Sequence, residues 1–187
     1  MHYVQLNQGN KIPQLGLGVY QTADGQQTMD AVCWALEAGY RHIDTAKIYG
    51  NEKSVGDAIR ESKIPRQQIF LTTKLWNDDI RAGRTEEAFN ESLAALQTDY
   101  IDLYLLHWIG HYPFSETVRA LAELQQEGKI RQWGMSNLDV ADMEHILSLP
   151  HGKECAADQV LNNLRDRGIE YDLIPWCGRH GIPVMAY

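Results

Sequence analysis

The chain has 187 residues, of which 44% are hydrophobic and 22% are charged, and its formal net charge is −8 at pH 7. This length and composition predict one domain with a substantial core. The acidic balance argues against a nucleic-acid partner, because phosphate binding requires an excess of Lys and Arg. The sequence shows no signal-peptide pattern and no apolar run long enough to span a bilayer. We therefore expect a cytoplasmic protein with no membrane contact.

The cysteines, histidines and serine motifs of the sequence indicate which kinds of site are absent. The three cysteines, Cys33, Cys155 and Cys177, are scattered and form no Cys-x-x-Cys pair, so we expect free thiols rather than disulfides. The seven histidines show no metal-ligand spacing, and no Gly-x-Ser-x-Gly motif is present. The sequence therefore predicts neither a metal site nor a serine hydrolase.

Strand and helix signals alternate along the chain after an N-terminal hairpin predicted over 4–13, which turns at Asn7–Asn10. Apolar residues at helical spacing and capping residues predict the helices. The predicted strands are 15–19, 41–45, 68–73, 101–106, 130–136, 156–160 and 183–187. The predicted helices are one containing Met29 to Leu36, one over 52–62, one capped by Thr85, one from Ser115 to Gly128, one capped by Asp139, and one over 169–180 that starts nearer Asp172.

Strict alternation predicts a parallel α/β sheet with right-handed crossovers, either open and doubly wound or closed into a barrel. Open dinucleotide-binding sheets usually carry Gly-x-Gly-x-x-Gly after the first strand. Here Gly16-Leu17-Gly18 lacks the third glycine and lies inside the strand. We therefore predict a single domain over 1–187 with a (β/α)8 TIM barrel and an N-terminal β-hairpin. Because the sequence ends on the seventh predicted strand, the barrel is expected to be incomplete at the C-terminus.

Four side chains form a candidate catalytic set, because each follows or ends a predicted strand and such ends meet at one mouth of a barrel. They are Asp44, Tyr49, Lys74 and His107. Tyrosine is a weak acid with a free pKa of about 10, and we expect the Lys74 ammonium to lower the pKa of Tyr49. Asp44 would hold Lys74, and His107 would orient a substrate carbonyl. Taken singly, each residue has a simpler structural explanation: Tyr49 as a rim residue, Asp44 as a helix cap, Lys74 as a solvated side chain and His107 as a core residue. Their joint placement at strand ends favours a role in proton transfer.

The strings around these residues, and others along the chain, are similar to those of the aldo-keto reductase family. They are Lys11–Gly18, Gly39–Ala46, Tyr49–Glu52, Asp99–Trp108, Gly128–Arg131, Gly134–Asn137 and Gln159-Val160. The resemblance covers essentially the whole chain. It implies that the four residues above form a catalytic tetrad in which the tyrosine is the general acid.

The same resemblance implies the binding residues. The residues expected to hold the nicotinamide carboxamide are Ser136, Asn137 and Gln159, and Tyr187 is expected to stack on the nicotinamide ring. The side chains expected to line the substrate pocket are Tyr20, Trp76 and Trp108, with Tyr112 as a weaker candidate.

The implied activity is reduction of aldehydes or ketones to alcohols by hydride transfer from a nicotinamide cofactor. NADPH is the expected cofactor and NADH is the alternative, because the segments that distinguish them in the family follow the seventh strand. The expected partner is a small carbonyl compound. The complete family fold predicts a monomer, with self-association as the alternative at this length. Two other functions stay open at this stage: a nicotinamide-binding regulatory subunit with a reductase fold, and an inactive barrel fragment.

Overall fold

A curled parallel sheet with helices on its outer face forms the body of the protein, seen here in a computed structural model that describes residues 2–80 and 84–187. The strands are β1 (Tyr3–Gln5), β2 (Lys11–Pro13), β3 (Leu17–Gly18), β4 (His42–Asp44), β5 (Phe70–Leu75), β6 (Ile101–Leu106), β7 (Ile130–Ser136), β8 (Asp158–Val160) and β9 (Val184–Ala186). The helices are α1 (Gln26–Glu37), α2 (Glu52–Glu61), α3 (Arg84–Leu96), α4 (Phe114–Gln126), α5 (Val140–Ser148) and α6 (Leu173–His180).

The strands of the main sheet follow chain order, β3-β4-β5-β6-β7-β8-β9, and every neighbouring pair is parallel. Each crossover from β3 onward contains one helix. The described residues thus form an open stretch of barrel wall whose edge strands are β3 and β9. The predicted α/β barrel architecture is confirmed, with seven of its strands in the described part.

The predicted N-terminal hairpin is also confirmed. β1 and β2 pair antiparallel around a 3-10 turn at Asn7–Gly9. The Asn7 side chain donates to the backbone oxygen of Cys155 at 2.7 Å, and Gln132 Nε2 donates to the Asn7 backbone oxygen at 2.9 Å. These bonds tie the hairpin to the sheet at the ends of the strands where the chain enters them.

The core has two layers, one on each face of the sheet. Outside the curl, buried apolar side chains join the sheet to the helices in one large cluster, which includes Val32, Phe89, Trp133 and Ile146. Inside it, Leu103 and Leu105 of β6 pack with Leu6 and Ile12 of the hairpin region. β6 is buried at all six positions, as predicted from a sequence that is apolar apart from Asp102.

Two predicted helix caps are wrong. Thr85 lies inside α3, where its hydroxyl donates to the backbone oxygens of Asp79 and Ile80 instead of accepting a bond from the helix. Ser115 lies inside α4, because Pro113, whose φ is fixed by its ring, takes the N-cap position. Asp139 caps α5 as predicted and forms a reciprocal capping box with Asp142.

The third predicted strand, 68–73, is displaced by two residues. Arg66–Gln68 form a 3-10 turn, so β5 runs over Phe70–Leu75. The displacement puts Lys74 inside the strand, where its backbone is fixed. The last helix begins at Leu173 with Asp172 as its cap, and Gly168–Glu170 form a separate turn.

All three cysteines are free thiols, as expected. Across residues 2–80 and 84–187, no helix has the length and apolar character needed to cross a membrane.

Candidate active site

A cavity of about 1170 Å³ opens at the C-terminal ends of the parallel strands. Strand ends supply most of its predicted functional residues, since parallel strands of a barrel all end on the same face. Leaving aside the weaker candidate Tyr112, eleven residues were selected from the sequence, and the cavity wall includes ten of them, namely Tyr20, Asp44, Tyr49, Trp76, His107, Trp108, Ser136, Asn137, Gln159 and Tyr187. The eleventh, Lys74, lies behind this wall with a side chain that is 1% exposed.

Lys74 and Asp44 form a buried ion pair at the base of the cavity. Lys74 Nζ lies 2.5 Å from Asp44 Oδ1 and also donates to the backbone oxygen of Thr45 at 2.9 Å. Both bonds reach across from β5 to the neighbouring strand β4 and the residue after it. A buried ammonium needs such partners to offset its lost hydration. These two bonds fix the position of Lys74 Nζ, and its remaining N–H points towards the Tyr49 hydroxyl.

Tyr49 sits on a 3-10 turn, Lys47–Tyr49, that leads from β4 towards α2. Its hydroxyl lies 3.5 Å from Lys74 Nζ. Burial, then the nearby Asp44 carboxylate, raises the pKa of Tyr49 well above that of a free tyrosine. This is opposite to the expected lowering by Lys74, because Asp44 neutralises the Lys74 charge at close range while the phenol is half-buried. Tyr49 is consequently a firmly protonated phenol at neutral pH.

His107 follows β6 directly and packs between two aromatic rings. Its ring centroid lies 5.5 Å from that of Tyr49 and 5.4 Å from that of Trp76, both edge-to-face. Burial, then the Lys74 charge, lowers the pKa of His107 to about 4. The imidazole is therefore neutral at pH 7, with one N–H donor and one acceptor nitrogen.

The turn that carries Tyr49 is fixed by residues to which the sequence analysis gave no role. Gly50 ends the turn with φ +70°, a conformation that favours glycine. The fully buried Asn51 donates to the backbone oxygens of Val19 and Thr22 and accepts from the Thr45 hydroxyl. Asn51 thus joins the loop after β3 to the Tyr49 turn. Asn51 belongs to the Tyr49–Glu52 string used in the sequence analysis. Its structural role was not predicted, because no residue spacing distinguishes a buried, hydrogen-bonded asparagine from an exposed loop asparagine.

The predicted cofactor residues form a linked row on the opposite wall. Gln159 Nε2 donates to Asp44 Oδ2 at 2.8 Å, and the Ser136 hydroxyl donates to the Gln159 backbone oxygen at 2.8 Å. Asn137 Nδ2 donates to the His107 backbone oxygen and to Ser136 Oγ, while the Tyr187 hydroxyl donates to Asn137 Oδ1. Asn137 adopts φ +63°, a left-handed conformation that asparagine tolerates better than most residues.

The predicted aromatic wall is present, with one correction. Tyr20 packs against Tyr49 with ring centroids 5.0 Å apart, and Trp76 and Trp108 lie on the cavity surface. Tyr112 packs against the sheet–helix core instead. Ile48, beside Tyr49, and Met185 of β9 also line the cavity; single apolar residues of this kind carry no sequence signal for a pocket.

The residues present fit a nicotinamide group. A carboxamide needs an acceptor for its NH2 group and donors for its oxygen. The Gln159 side-chain oxygen has no partner among the described residues, and its nitrogen is engaged by Asp44, so an acceptor is available at the cavity surface. The half-exposed Tyr187 ring supplies an aromatic face. For a metal the fit is poor, since the described ranges contain no group of three or more His, Cys, Asp or Glu side chains suited to hold one.

Comparison with known proteins identifies the family. Residues 14–187 match the family model for the aldo/keto reductase family. The chain is 44% identical over 191 residues to methylglyoxal reductase YeaE of Escherichia coli, with 98% of this chain and 66% of that protein covered. It is 39% identical over 186 residues to glyoxal reductase of Bacillus subtilis, again with 98% and 66% covered.

Solved structures give the same result. A Klebsiella pneumoniae aldo/keto reductase, crystallised in complex with NADP and acetate, superposes with a TM-score of 0.90 at 42% identity. That match covers 99% of this chain and 67% of the other. The chain spans about two thirds of the length of the curated relatives it matches. The protein belongs to the aldo/keto reductase family.

Proposed function

We propose that this protein reduces aldehydes or ketones to alcohols with a nicotinamide cofactor, and that Tyr49 is the proton donor. The observation that carries the proposal is the convergence of Tyr49, the Lys74–Asp44 ion pair and neutral His107 on one cavity, across from an acceptor on Gln159. This arrangement has a donor for the carbonyl oxygen on one side and a place for a carboxamide on the other.

Tyr49 acts as the general acid. Reduction adds a hydride to the carbonyl carbon and leaves negative charge on the oxygen, which a proton must neutralise. The raised pKa of Tyr49 keeps the phenol protonated at neutral pH, while an alkoxide oxygen is a far stronger base than a phenolate. The proton therefore moves from Tyr49 to the product oxygen, and Lys74, 3.5 Å away, stabilises the phenolate that remains.

His107 and Asp44 have positioning roles in this proposal. Neutral His107 offers a single N–H to the carbonyl oxygen, which orients the substrate without adding a second acid. Asp44 holds the Lys74 ammonium in place at 2.5 Å. The aromatic rings of Tyr20, Trp76 and Trp108 supply apolar surface to the cavity wall.

NADPH is the proposed cofactor, and it supplies the hydride when bound. Support comes from the acceptor on Gln159, the ring face of Tyr187, and the Klebsiella pneumoniae aldo/keto reductases whose structures contain NADP or NADPH. Ser136 and Asn137 hold the neighbouring wall in place through their mutual hydrogen bond. NADH remains the alternative.

Small reactive carbonyls are the proposed substrates. Two relatives are named for methylglyoxal and glyoxal, and the cavity combines an aromatic wall with a polar base. We accordingly extend the proposal to α-oxoaldehydes. The cytoplasmic location, the single domain and the monomeric state stay predictions.

The test is NADPH oxidation in the presence of methylglyoxal, with the intact mass of the same sample measured against 21.3 kDa. We expect turnover that requires both reactants and saturates with each. A chain of verified mass that is folded by circular dichroism but neither turns over nor binds NADPH would overturn the proposal.

A further inference from the structure

Behind the cavity wall, four charged side chains form a closed ring of ion pairs. Lys47 Nζ lies 3.0 Å from Asp79 Oδ2 and 2.6 Å from Glu91 Oε2. Arg84 Nε lies 3.0 Å from Asp79 Oδ1, and Arg84 Nη1 lies 3.5 Å from Glu91 Oε1. Each carboxylate thus bridges the same two cations. Below, the charged ring means Lys47, Asp79, Arg84 and Glu91.

The charged ring joins two cavity-bearing turns to one helix. Lys47 starts the 3-10 turn that ends at Tyr49, and Asp79 ends the 3-10 turn Asn77–Asp79, which directly follows Trp76. Arg84 and Glu91 lie two helical turns apart on α3 and so share a face. Through these bonds, α3 holds the turns on both sides of His107, whose ring contacts Tyr49 and Trp76.

We propose that the charged ring is a positioning device that fixes the Tyr49 and Trp76 turns relative to each other, and that Lys47 and Asp79 are its positioning residues. The four side chains lie outside the cavity wall, so they act through Tyr49 and Trp76 rather than on substrate. The expected effect on kcat rests on the proposed function, whereas the expected effect on the order of the two turns does not.

The burial of Lys47 and the connectivity of the ring separate it from ordinary surface pairs. The Lys47 side chain is 22% exposed, compared with 72% for Lys53, which pairs with Asp57 on α2, while the carboxylates Asp79 and Asp57 are both 16% exposed. Exposed pairs contribute little to stability because solvent screens them. The ring is partly screened by salt, because Arg84 and Glu91 are 28% and 47% exposed and Arg84 also pairs with Glu87 at 2.7 Å. Unlike a single surface pair, it restrains four attachment points simultaneously.

Removing one cation should release both turns. In Lys47→Met, Asp79 and Glu91 keep only Arg84 as a shared cation and repel each other. The Tyr49 hydroxyl, now 3.5 Å from Lys74 Nζ, then samples longer distances. A misplacement of about 1 Å at a reacting group costs up to about a hundredfold in rate. We expect a loss of roughly tenfold in kcat, with a smaller change in KM.

The first experiment needs no turnover. Hydrogen exchange should be measured at the amides that close the two turns, which are Tyr49, Gly50 and Asp79. In Lys47→Met and in Asp79→Asn, exchange at all three is expected to accelerate about tenfold, while Lys47→Arg restores slow exchange because it keeps the charge. Lys53→Met, which removes the cation of an exposed pair on α2, is the matched control and should leave the three amides unchanged.

The second experiment tests the catalytic consequence in the same variants. At saturating NADPH, kcat of the parent protein for a neutral aldehyde should fall as salt is raised from about 0.05 to about 0.5 M, because a ring of charges weakens with screening. Lys47→Met should lower kcat at low salt and lose the salt dependence, and adding Asp79→Asn should cost nothing more.

The two failures are distinguishable. Unchanged exchange in both ring variants, or equal acceleration in Lys53→Met, would overturn the positioning role whatever the activity. If the parent chain shows no turnover, the proposed function fails. The exchange experiment still tests whether the charged ring fixes the two turns. Additive losses in the double variant would likewise show that Lys47 and Asp79 do not act as one unit.

Discussion

Gln159 donates a hydrogen bond from Nε2 to Asp44 Oδ2 at 2.8 Å, although the two residues lie 115 positions apart in the chain. A carboxylate only accepts hydrogen bonds, so this contact determines which end of the Gln159 amide faces Asp44. The side-chain oxygen is thereby turned towards the cavity. Asp44 therefore has two partners, the Lys74 ammonium on one oxygen and the Gln159 amide on the other.

The first prediction concerns this orientation. In Asp44→Asn, the new amide can donate or accept, so Gln159 loses the bias that points its oxygen at the cofactor. We expect the Kd for NADPH, measured by quenching of tryptophan fluorescence, to rise about fivefold. In a Gln159→Leu background the same substitution should change Kd little.

Asp57→Asn on α2 is the control, because the partners of that carboxylate are Lys53, Arg60 and Gln97, none of which lines the cavity. If the effects of Asp44→Asn and Gln159→Leu on Kd are additive, the two residues act independently, and the orienting role of Asp44 is wrong.

The second prediction separates chemistry from binding at Tyr49. Tyr49→Phe removes the proposed acid while keeping the ring that packs against Tyr20 and His107. We expect kcat for aldehyde reduction to fall by about 10²–10⁴-fold, with NADPH affinity nearly intact. Tyr171→Phe, which alters a side chain that is 93% exposed, should change neither quantity. Equal losses in kcat and in cofactor affinity would instead assign Tyr49 a packing role.

Much of the fold follows from local sequence. β6 and β7 have the predicted bounds. β6 is apolar at every position except Asp102, and in β7 the apolar residues Ile130, Trp133 and Met135 follow the Gly128 helix stop. Asp139 caps α5 because its carboxylate reaches the N3 amide. Thr85 and Ser115 are also capping residue types, but Thr85 lies within α3 and Pro113 takes the N-cap position of α4. A capping residue type alone therefore does not determine the residue at which a helix begins.

The residues that line the candidate site could be predicted from the sequence, but the pKa values within it could not. The four catalytic candidates were expected to meet because strand ends converge in a barrel, and the cofactor and pocket residues were expected from the family resemblance; all but Lys74 and Tyr112 line one cavity. The direction of the Tyr49 pKa shift was not predictable, because it depends on burial and on how closely Asp44 neutralises Lys74. The charged ring at Lys47 was invisible for a similar reason: its members are ordinary surface residue types in sequence.

The third prediction concerns the protonation of His107. Its pKa is lowered to about 4 by burial and by Lys74, whereas a free histidine titrates near 6.5. In long-range ¹H–¹⁵N spectra, the His107 ring should remain neutral at pH 6, with the signal assigned by its loss in His107→Gln. Because the unfolded chain binds this proton more readily, His107 lowers stability progressively as pH falls from about 6.5 to about 4. A midpoint above pH 6 would contradict the buried neutral imidazole.

The fourth prediction concerns Asp158, which lies beside Gln159 on β8 and faces the helical layer. It is fully buried, and neither carboxylate oxygen has a partner in hydrogen-bond geometry among the described residues. Burial raises the pKa of Asp158 to about 7, against a smaller opposing effect of the Leu138 backbone N–H. The charged form is thus unfavourable in the fold, although the same residue ionises near pH 3.9 in the unfolded chain.

The sign of the effect follows from linkage. Below about pH 4, Asp158 is protonated in both the folded and the unfolded state and has no effect on stability. As pH rises from about 4 to 7, only the unfolded chain loses this proton, so the free energy of unfolding falls. Above pH 7 the loss of stability is constant. That penalty reaches up to about 4 kcal/mol. Asp158→Asn carries no charge, so its melting temperature should exceed that of the parent at pH 8 and match or fall below it at pH 4. Asp57→Asn should show no gain at pH 8, because Lys53 and Arg60 stabilise that carboxylate. A gain for Asp158→Asn that is the same at both pH values would mean that the substitution improves packing, and that the buried carboxyl is not the source of the pH dependence.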